Sequence, residues 1–195
     1  NGMRVIGGPL LFLDQQHLPD WIYLWEDDFV QVQSYIAQYI QATVGRYRGR
    51  VQVWNCAARM NISSAISLNE EQRLRLMVKA VDELRRADPQ TPIVLSFDQP
   101  WAEYLATNDR DLSPLHLADS LVRADLGVAG VAIELNVGYK SGSSAMRELI
   151  EFGRQLDRWA VLGLPLVVYI SCPSNADANA KTRHAVNSAS KLPTP

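Results

Sequence analysis

Short apolar runs alternate along this chain with long amphipathic segments, and that alternation constrains the fold more than any other feature. Five runs read as strands, at roughly Arg4–Leu13, Val51–Cys56, Pro92–Phe97, Val128–Leu135 and Leu164–Ile170. Their centres, such as Ile93-Val94-Leu95 and Leu166-Val167-Val168-Tyr169-Ile170, are near-continuously apolar, as in strands covered on both faces. Strand–helix units at intervals of roughly 40 residues predict a parallel α/β fold, either a TIM barrel or a doubly wound sheet. No G-x-G-x-x-G follows a strand, which removes support from a dinucleotide-binding sheet. A closed eight-stranded barrel needs roughly 250 residues, and this chain has 195. The pattern therefore predicts an incomplete TIM (β/α) barrel over residues 1–172.

The intervening segments carry helix signals. Phe29, Val32, Ile36, Tyr39, Ile40, Thr43 and Val44 recur at helical spacing after Asp27 and Asp28. Ser67-Leu68-Asn69-Glu70 reads as a capping box ahead of the stripe Leu74, Met77, Val78, Val81 and Leu84. Ser113-Pro114 opens a third helix with Leu115, Ala118, Leu121 and Val122 on one face. Ser143 or Ser144 is expected to open a fourth, carrying Met146, Leu149, Ile150, Leu156 and Trp159 and closed by Gly163. These stripes read as core rather than cofactor contacts. From Pro173 onward Ser, Asn, Ala and Lys dominate without apolar period, so 173–195 reads as a truncated or disordered tail.

Composition excludes several functions. A formal net charge of −2 with 47% hydrophobic residues gives no electrostatic footprint for nucleic acid or an anionic membrane surface. No apolar run approaches the roughly 20 residues of a membrane-crossing helix. No signal peptide is visible, and the opening Asn1-Gly2-Met3-Arg4-Val5-Ile6 reads as if cut into a strand. Two cysteines, Cys56 and Cys172, make neither a disulfide framework nor a metal site and are expected to be free thiols. No cofactor is implied.

One tract has a specific likeness. Arg46-Tyr47-Arg48-Gly49-Arg50 leads through an apolar strand to Trp54-Asn55-Cys56-Ala57-Ala58-Arg59. It resembles the segment of family 10 glycoside hydrolases, endo-xylanase-like TIM barrels, that reads R-Y-K-G-K-hydrophobic-x-x-W-D-V-V-N-E. The resemblance runs from about Gly8 to Cys172 and covers family strands 3 to 7. Gly8-Pro9-Leu10-Leu11-Phe12 with Leu18-Pro19-Asp20-Trp21 is similar to the third strand, with Pro9 where the family has a sugar-binding His. Ile93–Phe97, ending in Asp98-Gln99-Pro100-Trp101, would be the fifth. Gly130-Val131-Ala132-Ile133-Glu134-Leu135-Asn136 resembles the sixth strand, with Glu134 for a family Gln and Asn136 for His. Gly163–Ile170 is similar to the seventh.

That likeness implies a polysaccharide-cleaving barrel at the point where the cleaving residues are absent. The family's acid/base glutamate position holds Arg59 and its nucleophile position Ile170, a separation of roughly 110 residues that matches the family spacing. A guanidinium keeps its proton at ordinary pH and an isoleucine offers no nucleophile, so the retaining mechanism cannot run as drawn. Other carboxylates gather where barrel sites lie, Asp14, Asp98 and Glu134 each ending a strand. Asp98 and Glu134 are the candidate relocated catalytic pair; the competing reading has Glu134 tied to Arg59 by a salt bridge inside the mouth. Asn55, Gln99, Trp101, Asn136 and Tyr139 are the candidate substrate-binding residues. Trp25, Tyr104 and His17 flank the same loops, and Trp54 reads as barrel core.

The functional expectation is a glycoside hydrolase-like domain recognising a β-linked polysaccharide or oligosaccharide without cleaving it. The alternatives are an active hydrolase using Asp98 and Glu134, or a non-binding structural module. The resemblance implies an extracellular or cell-envelope setting, and as partners the missing barrel strands of a longer parent chain. Unpaired strand edges at Leu10-Leu11-Phe12 and Leu166-Val167-Val168 lead us to expect poor solubility of this piece alone.

Overall fold

The computed structural model describes residues 2–106, 111–138 and 143–172. Five parallel strands form one sheet in chain order: β1 (Ile6–Gly7), β2 (Val53–Ala58), β3 (Ile93–Asp98), β4 (Gly130–Asn136) and β5 (Leu166–Ser171). Helices α1 (Phe29–Tyr47), α2 (Glu70–Ala87), α3 (Pro114–Arg123) and α4 (Leu149–Ala160) connect them. A strand order equal to the chain order, with a helix at every crossover, is barrel winding; a doubly wound sheet would reverse at a switch point. The chain is thus a partial TIM barrel. The expected tail 173–195 lies outside the described residues.

Strand alternation divides the sheet into two chemistries. Leu95, Phe97, Val131 and Ile133 face the helices and are buried. There the Phe97 ring lies 5.7 Å from that of Trp159 on α4. Ser96, Asp98, Ala132, Glu134 and Asn136 alternate with them and face the lumen, Ser96 in register with Ala132 and Asp98 with Glu134. The apolar layer explains why the sheet forms; the lumen side is where polar side chains can be placed without breaking it.

Local signals set the helix ends. Asp28 caps α1 by accepting from Gln31 N, and Ser113 caps α3 by accepting from His116 N with Pro114 as the first helical residue. The capping box of α2 is Asn69 with Gln72 rather than one built on Ser67, because the chain enters the helix at Glu70. Buried Arg73 then donates to the carbonyls of Met60, Ser63 and Leu68, which pins the loop between β2 and α2.

Three expectations need correcting. The first strand is not a continuous Arg4–Leu13: pairing stops at Gly7, passes the cis Gly8–Pro9 bond, and resumes as an isolated bridge between Leu11 and Ala57. Pro9 has no N–H to donate, and any side chain at Gly8 would meet the Asn55 carbonyl oxygen at 2.2 Å. The fourth helix begins at Leu149, after Glu148, not at Ser143 or Ser144; Ser144 instead bridges to Val137. Consequently Met146, Leu149 and Ile150 are exposed, and the buried face of α4 is carried by Gln155 and Trp159 with Leu156 packed beside them. Tyr39 likewise faces outward rather than lying in the α1 stripe.

Candidate functional site

The C-terminal ends of β2, β3 and β4 bring Arg59, Asp98, Glu134 and Asn136 together. Arg59 follows β2 in a left-handed backbone conformation, φ 54°, which turns its side chain across the sheet. Its Nε donates to Glu134 Oε2 at 2.7 Å and stands 3.5 Å from Asp98 Oδ2. Asn136 Nδ2 donates to the same Asp98 oxygen at 2.7 Å, and the Gln99 backbone N–H donates to Asp98 Oδ1 at 2.7 Å. Asp98 and Glu134 are register partners on adjacent strands, so both carboxylates stand on the lumen face. The Phe12 ring backs the Arg59 guanidinium at 5.8 Å.

Burial pushes the Asp98 carboxyl up from its ordinary range and the nearby Glu134 charge adds to this; the Gln99 N–H, Arg59 and Asn136 only partly oppose it. Asp14 behaves in the opposite sense. Bonds from the Gln16 N–H and His17 hold its carboxyl below the usual range, with a smaller pull from Arg59. Asp14 lines a neighbouring cavity of about 470 Å³ with Phe12, Gln16, Arg59 and Ser64. Among the described residues no group of His, Cys, Asp and Glu side chains is arranged to hold a metal ion. No helix among them is long and apolar enough to cross a membrane.

Backbone strain concentrates at this rim. Gln99 (φ 50°) and Ala102 (φ 62°) join Arg59 in the left-handed region that favours glycine, all within the loops after β2 and β3. Such strain is kept only where surrounding structure enforces it, and it clusters at functional sites.

The remaining named residues are placed differently. Asn55 sits deeper in the lumen, donating to Ser96 Oγ at 2.9 Å, while its Oδ1 is buried with no partner among the described residues. Ile170 is not brought into the cluster. It pairs in register with Leu135, on the opposite face of the sheet from Glu134, and is 60% exposed. Tyr169 and Ser171 occupy the lumen face of β5 instead, in register with Glu134 and Asn136. Trp101 packs on Phe152 with Arg147 against its ring, and Tyr104 is buried with its hydroxyl on the Leu112 carbonyl. Trp25 lies edge-on to Tyr35, and His17 pairs with Asp14. Trp54 is core and donates to Asp88 at 3.0 Å. Tyr139 lies outside the described residues. Both cysteines are free; burial raises the Cys56 thiol to about 12, leaving it inert, while Cys172 is exposed.

Sequence reasoning missed Asn61, Phe12 and Tyr169. Asn61 donates to the Asp98 carbonyl at 2.7 Å and so fixes the end of β3, a long-range contact with no sequence signal. Tyr169 was adjacent to a named residue, but a one-residue change in register moves a side chain to the other face of a sheet.

No protein-family model matches the chain, and no curated protein does. Solved structures do. Native xylanase 10B from Thermotoga maritima superposes with a TM-score of 0.64 at 20% identity, covering 94% of this chain and 56% of that one. A family 10 glycoside hydrolase structure from Paenibacillus barcinonensis gives 0.63 at 19% identity, covering 88% and 53%. Xylanase 10B from Thermotoga petrophila in complex with xylobiose gives 0.54 at 19%, covering 94% and 56%. The chain therefore has the fold of a partial family 10-like barrel and spans about half the length of the xylanases it matches.

Proposed function

We propose that this barrel recognises a β-linked polysaccharide and does not cleave it. The observation that carries the reading is the Arg59 guanidinium, in contact with Glu134 at 2.7 Å and with Asp98 at 3.5 Å. A retaining hydrolase holds two carboxyl groups about 5–5.5 Å apart with the scissile bond between them. Here a cation touches both candidate carboxylates and neutralises the charge that would attack. Around it the lumen offers amide, carboxylate and hydroxyl groups suited to sugar hydroxyls, on a fold shared with xylanases, one of them solved with xylobiose. β1 and β5 each pair on one side only among the described residues, and we take further strand–helix units to complete the barrel.

A second reading has one specific observation in its favour: the raised carboxyl of Asp98 suits a general acid, with Glu134 as its partner. Against it, both Asp98 oxygens already accept hydrogen bonds and the residue is buried.

Affinity electrophoresis on xylan and mixed-linkage β-glucan, run beside a reducing-sugar assay, separates these readings. Retardation without release of reducing ends is expected. Turnover that disappears in Glu134→Gln would establish the relocated pair. Absence of both retardation and turnover would leave a structural module.

A further inference from the structure

Trp101, the described aromatic among the candidate substrate-binding residues, and Tyr104 and Trp25 in the flanking loops are engaged elsewhere: Trp101 under Arg147, Tyr104 in the interior, Trp25 against Tyr35. Tyr169 is not. It stands in register with Glu134 on β5, on the face that carries Asp98 and Asn136. It is 44% exposed, and its hydroxyl has no partner among the described residues. Its lumen position does not depend on β5 being an edge, because a further strand would pair with the backbone and leave the face of the sheet unchanged.

Charge narrows the ligand. Asp14, Asp98 and Glu134 surround the mouth, and the Arg59 charge that opposes them is already engaged by Glu134 and Asp98. An acidic sugar would meet a surplus of like charge, whereas an uncharged pyranose presents C–H bonds to a ring and hydroxyls to the carboxylates.

We infer that Tyr169 is the aromatic platform of the site, stacking on an uncharged pyranose whose hydroxyls meet Glu134. The inference rests on the carbohydrate-binding reading above and adds to it a residue and a sugar class.

Titration calorimetry of the whole chain with xylohexaose and cellohexaose tests it, using hexagalacturonate as the acidic probe. Tyr169→Leu is expected to weaken binding of the better neutral probe about tenfold while Tyr169→Phe stays close to wild type. Tyr169→Trp, the check should the leucine variant misfold by circular dichroism, is expected to bind at least as tightly as wild type. Unchanged affinity in Tyr169→Leu, or clear loss in Tyr169→Trp, would overturn the assignment of Tyr169 and leave the binding reading standing. Tighter binding of hexagalacturonate than of either neutral probe would overturn the sugar class. A wild-type chain that binds none of the three sinks the binding reading, and this inference with it.

Discussion

Asp88 and Asp98 are each 2% exposed, Asp88 in the loop that leads into β3 at its floor and Asp98 as the last residue of β3 at its mouth. Burial acts on both in the same direction, yet they end on opposite sides of the ordinary carboxylate range. At the floor, desolvation is the largest influence on Asp88, but it is outweighed by the Trp54 indole at 3.0 Å, the Thr91 hydroxyl at 2.7 Å and backbone N–H groups, so its carboxyl is held low. At the mouth, Asp98 receives the Gln99 N–H, Asn136 and a more distant Arg59, and a second carboxylate stands beside it, so its carboxyl is pushed up. The floor is organised to hold a charge. The mouth holds one at a cost that the fold does not need, which is the division between stabilising and functional ends of a barrel.

That contrast can be attacked from its strongest side first. Replacing Trp54 by Ala should cost about 3–5 kcal/mol by urea denaturation, since it empties a buried indole site and strands Asp88. A loss below 1 kcal/mol would mean that the floor is not the anchor described. Asp88→Ala, which leaves the Trp54 and Thr91 donors unmatched, should cost about 1–3 kcal/mol. If Asp88→Ala and Asp98→Ala behave alike, the comparison between the two ends collapses.

Asp98→Asn probes the mouth with the opposite sign. A carboxyl with a raised folded pKa adds stability that is fully present below its unfolded value near 3.8 and is lost as pH rises through the folded value. Asparagine keeps only one of the two acceptor oxygens, so Asp98→Asn starts from a deficit, and that deficit should shrink as pH rises, read as urea midpoints of variant and unsubstituted protein that converge from acid to neutral pH. For Asp88 and for Glu83, which Lys79, Gln41 and Arg86 hold low, the sense reverses: their contribution is present above the unfolded values and lost as pH falls through the folded ones. A deficit in Asp98→Asn that grows as pH rises would show that the mouth carboxylate stabilises after all.

The smallest expected effect concerns strain at the rim. Ala102 has φ 62°, a region that costs an ordinary residue about 1–2 kcal/mol, and glycine would relieve this at an entropic cost of about 0.4–1 kcal/mol. Ala102→Gly should raise stability by roughly 0.5 kcal/mol. A measurable destabilisation would mean that the Ala102 methyl is packed and that the strain argument fails there.

Much of this was legible in one dimension. Periods of apolar residues located the five strands and four α-helices of the described residues, because burial of a sheet between helices writes itself into local composition. The lack of a dinucleotide motif and the Trp54 tract together pointed to the barrel. Where a helix or strand begins was less secure. Ser67 and Ser143 looked like caps, yet Asn69 and Glu148 precede the helices, since several polar residues compete and the tertiary path of the loop selects one.

The mouth residues could also be named from sequence: Arg59 directly follows β2, Asp98 ends β3, Glu134 and Asn136 lie in the last three residues of β4, and the ends of parallel strands converge at one rim. Convergence is a property of the fold class and needs no coordinates. What those residues do to one another was not available, because it depends on angstrom-scale geometry: Arg59 reaching Glu134 through a left-handed turn, or Asn61 holding Asp98 from the neighbouring loop. The face occupied by a β5 residue depends on the pairing register with β4, and register is set between strands rather than within one. A string of letters could name Ile170 and Tyr169 as neighbours; only the sheet could put Leu135 beside the first and Glu134 beside the second.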